Sequence, residues 1–438
     1  MDRQYKGSGI EWIGKIPVTW EIASIKRLFS LYAGATPKSD NPENWDGTIP
    51  WITPADYQTE DKYISGGKRT ISQKGMDSCA TTLLPANSIV FSKRAPIGLV
   101  IMNANPLCTN QGCMGCVPKK DAISKYYYFA MSVFTEQFEL YGAGTTFKEI
   151  SASNLGNFIL PAPPLSDQQF IADYLDEKCG EIDSLIRLQE QMIEKLKVYK
   201  QSVITEAVTK GLDPNAKLVP SGTGWIEEIP EEWEVAPLKS ILFRRSEKNN
   251  PVKTKERLSL SIDKGVTLYA EKTTNLDRFK EDFTQYQLAY PNDIVLNSMN
   301  MIVGAVGLSH FYGCVSPVYY VVYSKSKDTD IRYYSYLLNT QKIRDVYHSL
   351  GQGIYAIERG EGRVNTCRLK VSYDDFGVIR IPIPPVSEQH AIVSYLDVKC
   401  SEIDKLIAVK QQKVEKLKEY KKSVIYEAVT GKTSFSVS

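Results

Sequence analysis

The sequence predicts an α+β fold: two α/β bodies separated by two long helices, which form an antiparallel coiled coil and give the molecule pseudo-twofold symmetry. The first reason is length, because 438 residues exceed one ordinary domain of about 100–150 residues. The second is an internal repeat with a helical pattern. The resulting layout is a first body at 1–160, a helix with the start of a linker at 161–212, a second body at 213–381 and a second helix at 382–438.

The composition is that of a globular protein and excludes several classes. The chain is 42% hydrophobic and 24% charged, which argues against disorder, a collagen-like chain and a small disulfide scaffold. Its 53 Lys and Arg against 51 Asp and Glu give a net charge of +2. No segment is strongly basic, so coating of nucleic acid by bulk charge is not expected. The 26 tyrosines are typical of binding surfaces as well as cores.

The sequence also predicts a compartment. The first residues carry no apolar segment of the kind that a secretory signal needs, and no apolar run approaches the ~18 residues of a membrane helix. Eight cysteines are few for a secreted scaffold. We therefore expect a cytoplasmic protein with no membrane association.

The repeat is strongest in the two helical segments. The sequence PPLSDQ at 163–168 reappears as PPVSEQ at 384–389, 221 residues later. Well over half of the positions are identical between 163–209 and 384–430. A weaker copy joins the heads of the two bodies, where paired tryptophans flank an Ile-Pro: Trp12 and Trp20 in the first, Trp225 and Trp233 in the second.

Each repeated segment predicts a helix of about 44 residues, which is ~66 Å at 1.5 Å per residue. Such a rod is longer than one turn of DNA, ~34 Å. Apolar residues recur at gaps of three, four and seven, the pattern of a coiled-coil seam. The predicted seam residues are Leu175, Ile182, Leu185, Leu196, Leu396, Ile403, Leu406 and Leu417.

A coiled-coil seam needs a partner, and two interpretations are open. The helices could join two chains as a dimerisation stalk, or they could pair with each other inside one chain. The presence of two copies in one chain favours the second interpretation, with antiparallel pairing.

Each body contains a strand that ends in a polar loop. The strands at 88–92 and 293–297 follow the turn signals Pro85-Ala86-Asn87 and Pro291-Asn292. Arg, Lys, Asn and Gln side chains read base edges in DNA, and loops on a rigid scaffold commonly carry function. We therefore treat the polar residues of these and neighbouring loops as DNA-binding candidates. The competing interpretation is a solvated surface turn.

The DNA-binding candidates are spread over several loops. In the first body they are Lys38, Lys68, Arg69, Lys93, Arg94, Asn110, Gln111, Thr145, Thr146 and Lys148. In the second body they are Lys264, Asn297, Asn300, Tyr319, Arg359, Arg363 and Asn365. The last three lie in a glycine-rich, basic stretch that lacks the Gly-Lys-Ser/Thr of a nucleotide loop. Phosphate contacts and a plain surface loop are its two interpretations.

Residues that catalysis would need are not apparent. Neither proline pair is followed by the aromatic residue of an amino-methyltransferase motif, and none of the three histidines neighbours a credible Ser or Cys nucleophile. Cys113 and Cys116 form one Cys-x-x-Cys, which is half a zinc site at best. Structural thiols are the interpretation that we favour. The sequence thus predicts no catalytic and no metal-binding residues.

Taken together, these motifs resemble the specificity subunit of bacterial type I restriction–modification systems. The similarity covers essentially the whole chain and is most specific in PPLSDQQ at 163–169 and PPVSEQH at 384–390. The heads with their paired tryptophans are also similar. So are KRAPIG at 93–98 and the stretches 299–304 and 313–319.

The resemblance implies a function without chemistry in this chain. Each body would be a target recognition domain that reads one half of an asymmetric, interrupted DNA site, and the helices would fix the spacing of the halves. The helices and heads would dock two modification subunits, which bind S-adenosylmethionine and methylate adenine. Two restriction subunits would add translocation and cleavage that depend on ATP and Mg. No cofactor is expected on this chain itself.

The resemblance does not transfer base-contacting residues, because recognition domains vary too much among members. The candidates above therefore rest on residue type alone. Two other functions are open at this point: a non-catalytic coiled-coil scaffold that assembles another protein complex, and an inactive or recombination-donor copy of a specificity gene.

Overall fold

The computed structural model describes residues 4–57, 61–142, 148–262, 264–272, 282–326, 328–354, 358–359, 363–364 and 368–433. The chain divides into two compact units: unit 1 is Met1–Glu190 with Gln411–Ser438, and unit 2 is Gln191–Lys410. Each unit therefore holds one body, the first part of the long helix that follows it and the last part of the other long helix. Within the described residues, no helix combines the length and apolarity needed to cross a membrane.

The first body consists of short strands and helices. In chain order they are β1 (Tyr5–Gly7), β2 (Lys15–Pro17), β3 (Glu21–Ser24), α1 (Ile25–Leu28), β4 (Phe29–Ala33), β5 (Trp45–Ile52), β6 (Tyr63–Ile64), β7 (Arg69–Ile71), α2 (Gln73–Asp77), β8 (Ile89–Ser92), β9 (Val100–Asn103), β10 (Cys108–Thr109), β11 (Cys113–Pro118), α3 (Ser124–Ser132), α4 (Thr135–Leu140), α5 (Ala152–Asn157) and β12 (Ile159–Ala162). The long helix α6 (Leu165–Lys210) follows.

The second body is built in the same manner. Its elements are β13 (Leu218–Pro220), β14 (Glu228–Pro230), β15 (Glu234–Pro237), α7 (Leu238–Ile241), β16 (Phe243–Arg244), β17 (Leu258–Ser261), β18 (Gly265–Leu268), β19 (Gln287–Ala289), β20 (Ile294–Asn297), β21 (Val306–Leu308), β22 (Gly313–Val315), β23 (Tyr319–Tyr323), α8 (Ile331–Leu337), α9 (Gln341–Leu350), β24 (Gln352–Ile354), β25 (Glu358–Arg359), β26 (Arg363–Val364), β27 (Arg368–Lys370), α10 (Tyr373–Val378) and β28 (Arg380–Ile383). The long helix α11 (Val386–Val429) follows.

Four strands of the main sheet are arranged in the same order in the two bodies, and the first body adds β6 at one edge. In the first body the order is β4-β11-β8-β9-β6, and in the second it is β16-β23-β20-β21. The two strands predicted from sequence, β8 and β20, occupy equivalent central positions and are buried. The bodies thus share an architecture that their interior sequences did not reveal.

The long helices pair with each other inside the chain, and the pairing is antiparallel. In unit 1 the Lys421 ammonium lies 2.6 Å from the Asp183 carboxylate. In unit 2 the Lys200 ammonium lies 2.7 Å from the Asp404 carboxylate. The later position on α6 meets the earlier position on α11, as antiparallel pairing requires. The two ion pairs are the same contact in both copies of the repeat, which confirms the intramolecular interpretation.

The seam residues follow strictly alternating steps of four and three. Leu175, Ile182, Leu396 and Ile403 are buried, and Leu196 and Leu417 are half-buried. The prediction is wrong for Leu185 and Leu406, which are 45% and 51% exposed. The buried Ile186 and the half-buried Ile407 take their places. From the seam positions Cys179 and Cys400, a step of three residues leads to Ile182 and Ile403. A second step of three, to Leu185 and Leu406, turns the side chain about 120° away from the partner helix, whereas a step of four keeps it on the seam.

Each long helix is followed by a glycine, Gly211 after α6 and Gly431 after α11, and the two are one position apart in the repeat. Gly211 and Gly431 have φ angles of +75° and +73°, the left-handed conformation in which glycine commonly terminates helices. A Cβ at Gly431 would lie 2.5 Å from Pro17 of the head, and one at Gly211 would lie 2.5 Å from the Glu388 carboxylate. The backbone conformation favours glycine at both positions, and at Gly431 the Pro17 ring also leaves no space for a side chain.

Each body buries the end of the helix that does not follow it. In unit 1 the last turns of α11, from Val424 to Val429, belong to the same hydrophobic core as Trp20. The buried Tyr126 hydroxyl donates to the Val429 carbonyl at 2.9 Å. In unit 2 the equivalent Tyr333 hydroxyl donates to the Val208 carbonyl at 2.8 Å. The core of each unit is thus assembled from parts of the chain that are far apart in sequence.

The repeated Pro-Pro-x-Ser-x-Gln motif fastens the start of each long helix to its body. The Gln168 side chain is 1% exposed; it accepts from the Ile123 N–H at 2.9 Å and donates to the Pro163 carbonyl at 2.9 Å. Gln389 makes the same pair of contacts, with the Asp330 N–H at 2.9 Å and the Pro384 carbonyl at 2.8 Å. The tryptophans of the heads complete the junction: Trp20 donates to Asp167, and Trp233 donates to Glu388.

Replacement of Gln168 by leucine should lower the free energy of unfolding of unit 1 by about 2–4 kcal/mol, because it leaves buried backbone donors and acceptors without partners. Chemical unfolding of the full chain measures this. The matched control is Gln169→Leu, at the next position, whose side chain is exposed and should change stability by less than about 0.5 kcal/mol. Equal losses in the two variants would contradict the role of Gln168.

Candidate nucleic-acid interface

In the first body, three loops meet at one edge of the main sheet. The loop after β8 and the loop before β11 are joined by a hydrogen bond from the Lys93 N–H to the Gly112 carbonyl at 2.8 Å. The third segment joins where the Ile150 N–H donates to the Lys93 carbonyl at 3.0 Å. We name this group of residues, 93–94, 110–112 and 148–150, the loop edge of the first body. It brings together candidates that are far apart in sequence.

The two cations of this loop edge share one carboxylate. The Glu149 carboxylate lies 3.0 Å from both the Lys93 ammonium and the Arg94 guanidinium. Burial raises the pKa of Glu149, but hydrogen bonds from the two cations outweigh it and lower that pKa below its ordinary value. The Lys93 side chain is only 13% exposed, so its ammonium serves mainly the ion pair with Glu149. The Arg94 side chain is 50% exposed and can also contact a ligand.

A second group of candidates surrounds Trp45. The Trp45 indole N–H donates to the Lys38 carbonyl at 3.1 Å, and the Arg69 guanidinium lies 3.4 Å from the centre of the Trp45 ring. The loop that contains Lys38 reaches the loop edge, since the Thr36 hydroxyl bonds to the Gln111 side chain. Lys38, Arg69 and Gln111 thus form one continuous surface.

The remaining candidates of the first body are peripheral to these contacts or undescribed. The Lys68 N–H donates to Asp56 at 3.2 Å, and its side chain is exposed. The Asn110 side chain accepts from the Gly112 N–H at 2.9 Å, so it shapes its own loop. Lys148 is exposed. Thr145 and Thr146 lie outside the described residues.

The second body has an equivalent loop edge, formed by 297–300, 316–319 and Val371. Asn297 lies opposite Tyr319 in the sheet register. The Ser298 hydroxyl donates to the Val318 carbonyl at 2.8 Å, and the Val371 N–H donates to the Ser298 carbonyl at 3.2 Å. The Asn297 side chain accepts from the Met299 N–H at 3.1 Å and so holds its own loop, while Asn300 is exposed.

The glycine-rich stretch of the second body continues from this loop edge as paired strands. β24 pairs with β27, and β25 pairs with β26, which places Arg359 opposite Arg363. The side chains of these two arginines, and the whole of Asn365, lie outside the described residues. Lys264 is elsewhere: it is exposed in the turn between β17 and β18 and lines a groove of about 790 Å³ together with Arg344 and Lys405.

The structure adds one cation that the sequence patterns missed. Arg244 in β16 is exposed, and its guanidinium lies 5.3 Å from the centre of the Tyr320 ring and 5.0 Å from that of Tyr373. Tyr320 connects it to the loop edge, because its hydroxyl donates to the Val371 carbonyl at 2.9 Å. No turn signal or motif surrounds Arg244, so only the fold brings it to this place.

The Cys-x-x-Cys pair has the geometry of structural thiols. Cys113 and Cys116 lie in β11 three residues apart, so their side chains point to opposite faces of the strand. They belong to different hydrophobic clusters, and burial raises the pKa of each thiol to about 12. In the part of the chain that the structure describes, no three His, Cys, Asp or Glu side chains are grouped to hold a metal ion.

Comparison with known proteins gives consistent matches. The family model described as "Type I restriction modification DNA specificity domain" matches residues 17–198 and 230–419. The MjaIX specificity subunit of a type I restriction enzyme from Methanocaldococcus jannaschii is 36% identical over 55% of this chain and 55% of its own length. The putative MjaX specificity subunit of the same organism is 25% identical over 96% of this chain and 95% of its own length.

A solved structure shares the fold. It comes from a study titled as the structural basis of complex assembly and conformational transition of the type I R-M system. It is 13% identical, covers 95% of this chain and 99% of its own chain, and superimposes with a TM-score of 0.68.

Proposed function

Because the chain belongs to the family of type I restriction–modification DNA specificity domains, we propose that it is the DNA-reading subunit of a type I restriction–modification complex. The observation that carries the proposal is that the family match covers both halves of the chain, each of which has the same order of four sheet strands and an equivalent loop edge. Since the loops of the two bodies differ in sequence, the two bodies read different bases. The DNA site is therefore asymmetric and interrupted.

The chain positions chemistry that other subunits perform. Modification subunits, two per complex, dock on the long helices and heads, bind S-adenosylmethionine and methylate adenine within the site. Two restriction subunits add cleavage that depends on ATP and Mg. This chain holds no cofactor of its own, and because its target is DNA, we place it in the cytoplasm. The scaffold and silent-copy alternatives are not favoured, because the full-length relatives bear the name of specificity subunits.

Alone, the chain should bind double-stranded DNA weakly, and addition of the modification subunit should tighten binding at least roughly tenfold, because a net charge of +2 gives the chain little overall electrostatic attraction to DNA. Fluorescence anisotropy at several salt concentrations measures both affinities. Equal affinity with and without the modification subunit would contradict the prediction that this subunit supplies much of the DNA affinity.

The proposed function itself is tested by methylation. The chain is co-expressed with a methyltransferase subunit from the same host, and methyladenine is mapped on the genome. The expected result is one motif with two unlike halves and unread base pairs between them. A continuous palindrome, or no methyladenine above the background of the methyltransferase alone, would overturn the proposal.

A further inference from the structure

Among the described residues, one exposed arginine in each body has its guanidinium over aromatic rings. These are Arg69 on Trp45 and Arg244 on Tyr320 and Tyr373, at the distances given above. Within the described chain neither guanidinium forms an ion pair with a carboxylate. Other arginines differ, since Arg245 is paired with Asp293 and Arg332 with Asp330. Arg69 and Arg244 are thus ordered by rings and still available to a ligand.

The rings beneath these arginines are themselves fixed. Trp45 is 6% exposed and donates its indole N–H to the Lys38 carbonyl. It also packs edge-to-face on Trp51, with 5.3 Å between ring centres. In the second body, Tyr320 is 6% exposed and is held by its hydroxyl bond to Val371. A side chain stacked on a fixed ring loses less conformational freedom when it binds than a free one does.

Both arginines adjoin a loop edge. Arg69 reaches it through Trp45 and the loop of Lys38, whose Thr36 contacts Gln111. Arg244 reaches it through Tyr320 and Val371. The two bodies arrive at this arrangement with different residues on different strands, β7 in the first body and β16 in the second. An arginine on an aromatic platform beside the loop edge is therefore common to both bodies although the sequences are unrelated there.

A guanidinium held over an aromatic ring without an ion pair to a carboxylate keeps its planar fork of N–H donors available to a ligand. Such a fixed, planar fork matches the two acceptors O6 and N7 of guanine in the major groove. Phosphates make a lesser demand on geometry, and mobile lysines satisfy them; Lys38 and Lys68 are the exposed lysines beside Arg69. Because the lysines can contact phosphates, a base contact is favoured for the arginine that lies over the ring.

We propose that Arg69 and Arg244 each read a guanine, one in each half of the DNA site, and that Trp45 and Tyr320 act as positioning residues for them. The proposal rests on the proposed function of the chain and assigns to it specificity-determining residues. It predicts a guanine in each half-site at a position that depends on one named side chain.

The test uses the complex of the full chain with its methyltransferase and measures methylation rates on duplexes randomised in each half-site. Arg69→Lys and Arg69→Ala should lose roughly ten- to hundredfold of the preference for guanine at one base pair of the first half-site, with the second half-site unchanged. Arg244→Lys and Arg244→Ala should do the reverse. Trp45→Ala should weaken the same preference as Arg69→Lys, and Trp45→Phe should retain most of it.

Matched controls separate base reading from charge and from folding. Lys120→Ala removes an exposed cation beyond the opposite end of β11. Lys325→Ala removes a cation that also sits on a ring, 4.6 Å from the centre of Phe243, beyond the opposite end of β23. Both should keep the wild-type base preference. Thermal melting of each arginine variant shows whether it is folded. If an alanine variant is unstable, the lysine variant tests the same position with the positive charge retained.

The outcomes distinguish the alternatives. A base preference identical to that of the wild type overturns the inference. So does a uniform loss of rate on all sequences with a smaller salt dependence, because that is the signature of a phosphate contact. If the wild-type complex methylates adenine without sequence preference, the proposed function fails, and this inference fails with it.

Discussion

A chain that ends at Lys410 should lose the fold of unit 1 and keep that of unit 2. The missing residues include Val424, Ile425, Ala428 and Val429, which are 9% exposed or less and pack in the core of unit 1. Each buried aliphatic side chain contributes roughly 1.5–3 kcal/mol, and a domain has only about 5–15 kcal/mol of stability in total. Within the described residues, the main hydrophobic cluster of unit 2 includes nothing beyond Cys400, so it stays intact.

Hydrogen exchange followed by mass spectrometry reads the two units separately in one experiment. Peptides from β8 and β11 should exchange fast in the shortened chain, whereas peptides from β20 and β23 should remain protected. A chain that ends at Thr433 serves as the control and should match the full-length protein in both units. Addition of a separate peptide that covers 411–433 should restore protection in unit 1. Protection of β8 and β11 without residues 411–433 would show that α11 is dispensable for the first body.

The sequence predicted the repeated elements well because repetition reports directly on structure. The long helices, their pairing and the central strands β8 and β20 all follow from local patterns that a helix or strand must satisfy. The errors at Leu185 and Leu406 have a local cause as well. Both leucines lie three residues after a seam position, which is an allowed coiled-coil spacing. Only when Cys179 and Cys400 are counted as seam positions does the pattern of steps require the isoleucine one residue later.

The loop edges could not be predicted in detail, because they are made by contacts between distant segments. Lys93 and Arg94 look like free cations in the sequence, yet both face Glu149, which is more than fifty residues away. Arg69 is an ordinary basic residue until β7 pairs with β5 and the fold sets it on Trp45. The shared sheet order is hidden for the same reason: strand order depends on which faces are apolar, and many sequences satisfy that condition.

Replacement of residues 31–160 by the first body of another specificity subunit should change only one half of the methylated site. The reason is that, in each body, the loop edge lies at the start of one strand and the contacts with the long helices lie after the end of that strand. In the first body, β11 begins at the loop edge with Cys113 and ends at Pro118. The residues that follow face the long helices: the Ile123 N–H meets Gln168, and the Tyr126 hydroxyl meets Val429.

The second body repeats this division, which makes the separation a property of the fold. β23 begins at the loop edge with Tyr319, and after its end the Asp330 N–H meets Gln389 and the Tyr333 hydroxyl meets Val208. A donor body that keeps a backbone N–H and a tyrosine at these two places, together with an apolar surface toward the helices, retains these contacts, while its loops are free to differ. Methylome sequencing of the hybrid should show a new first half-site, the old second half-site and an unchanged spacer.

The spacer is the most informative part of that result. A donor that docks through the same glutamine and tyrosine contacts leaves α6 and α11 as they are, so the spacer length should stay constant whichever half-site is new. The matched control replaces the donor tyrosine that occupies the place of Tyr126 by phenylalanine, which removes one buried hydrogen bond to the Val429 carbonyl and should cost about 1–3 kcal/mol of stability without altering either half-site. A hybrid in which both half-sites change would mean that the bodies do not read independently. A hybrid with a new spacer length would mean that the loops, and not the helices, set the spacing.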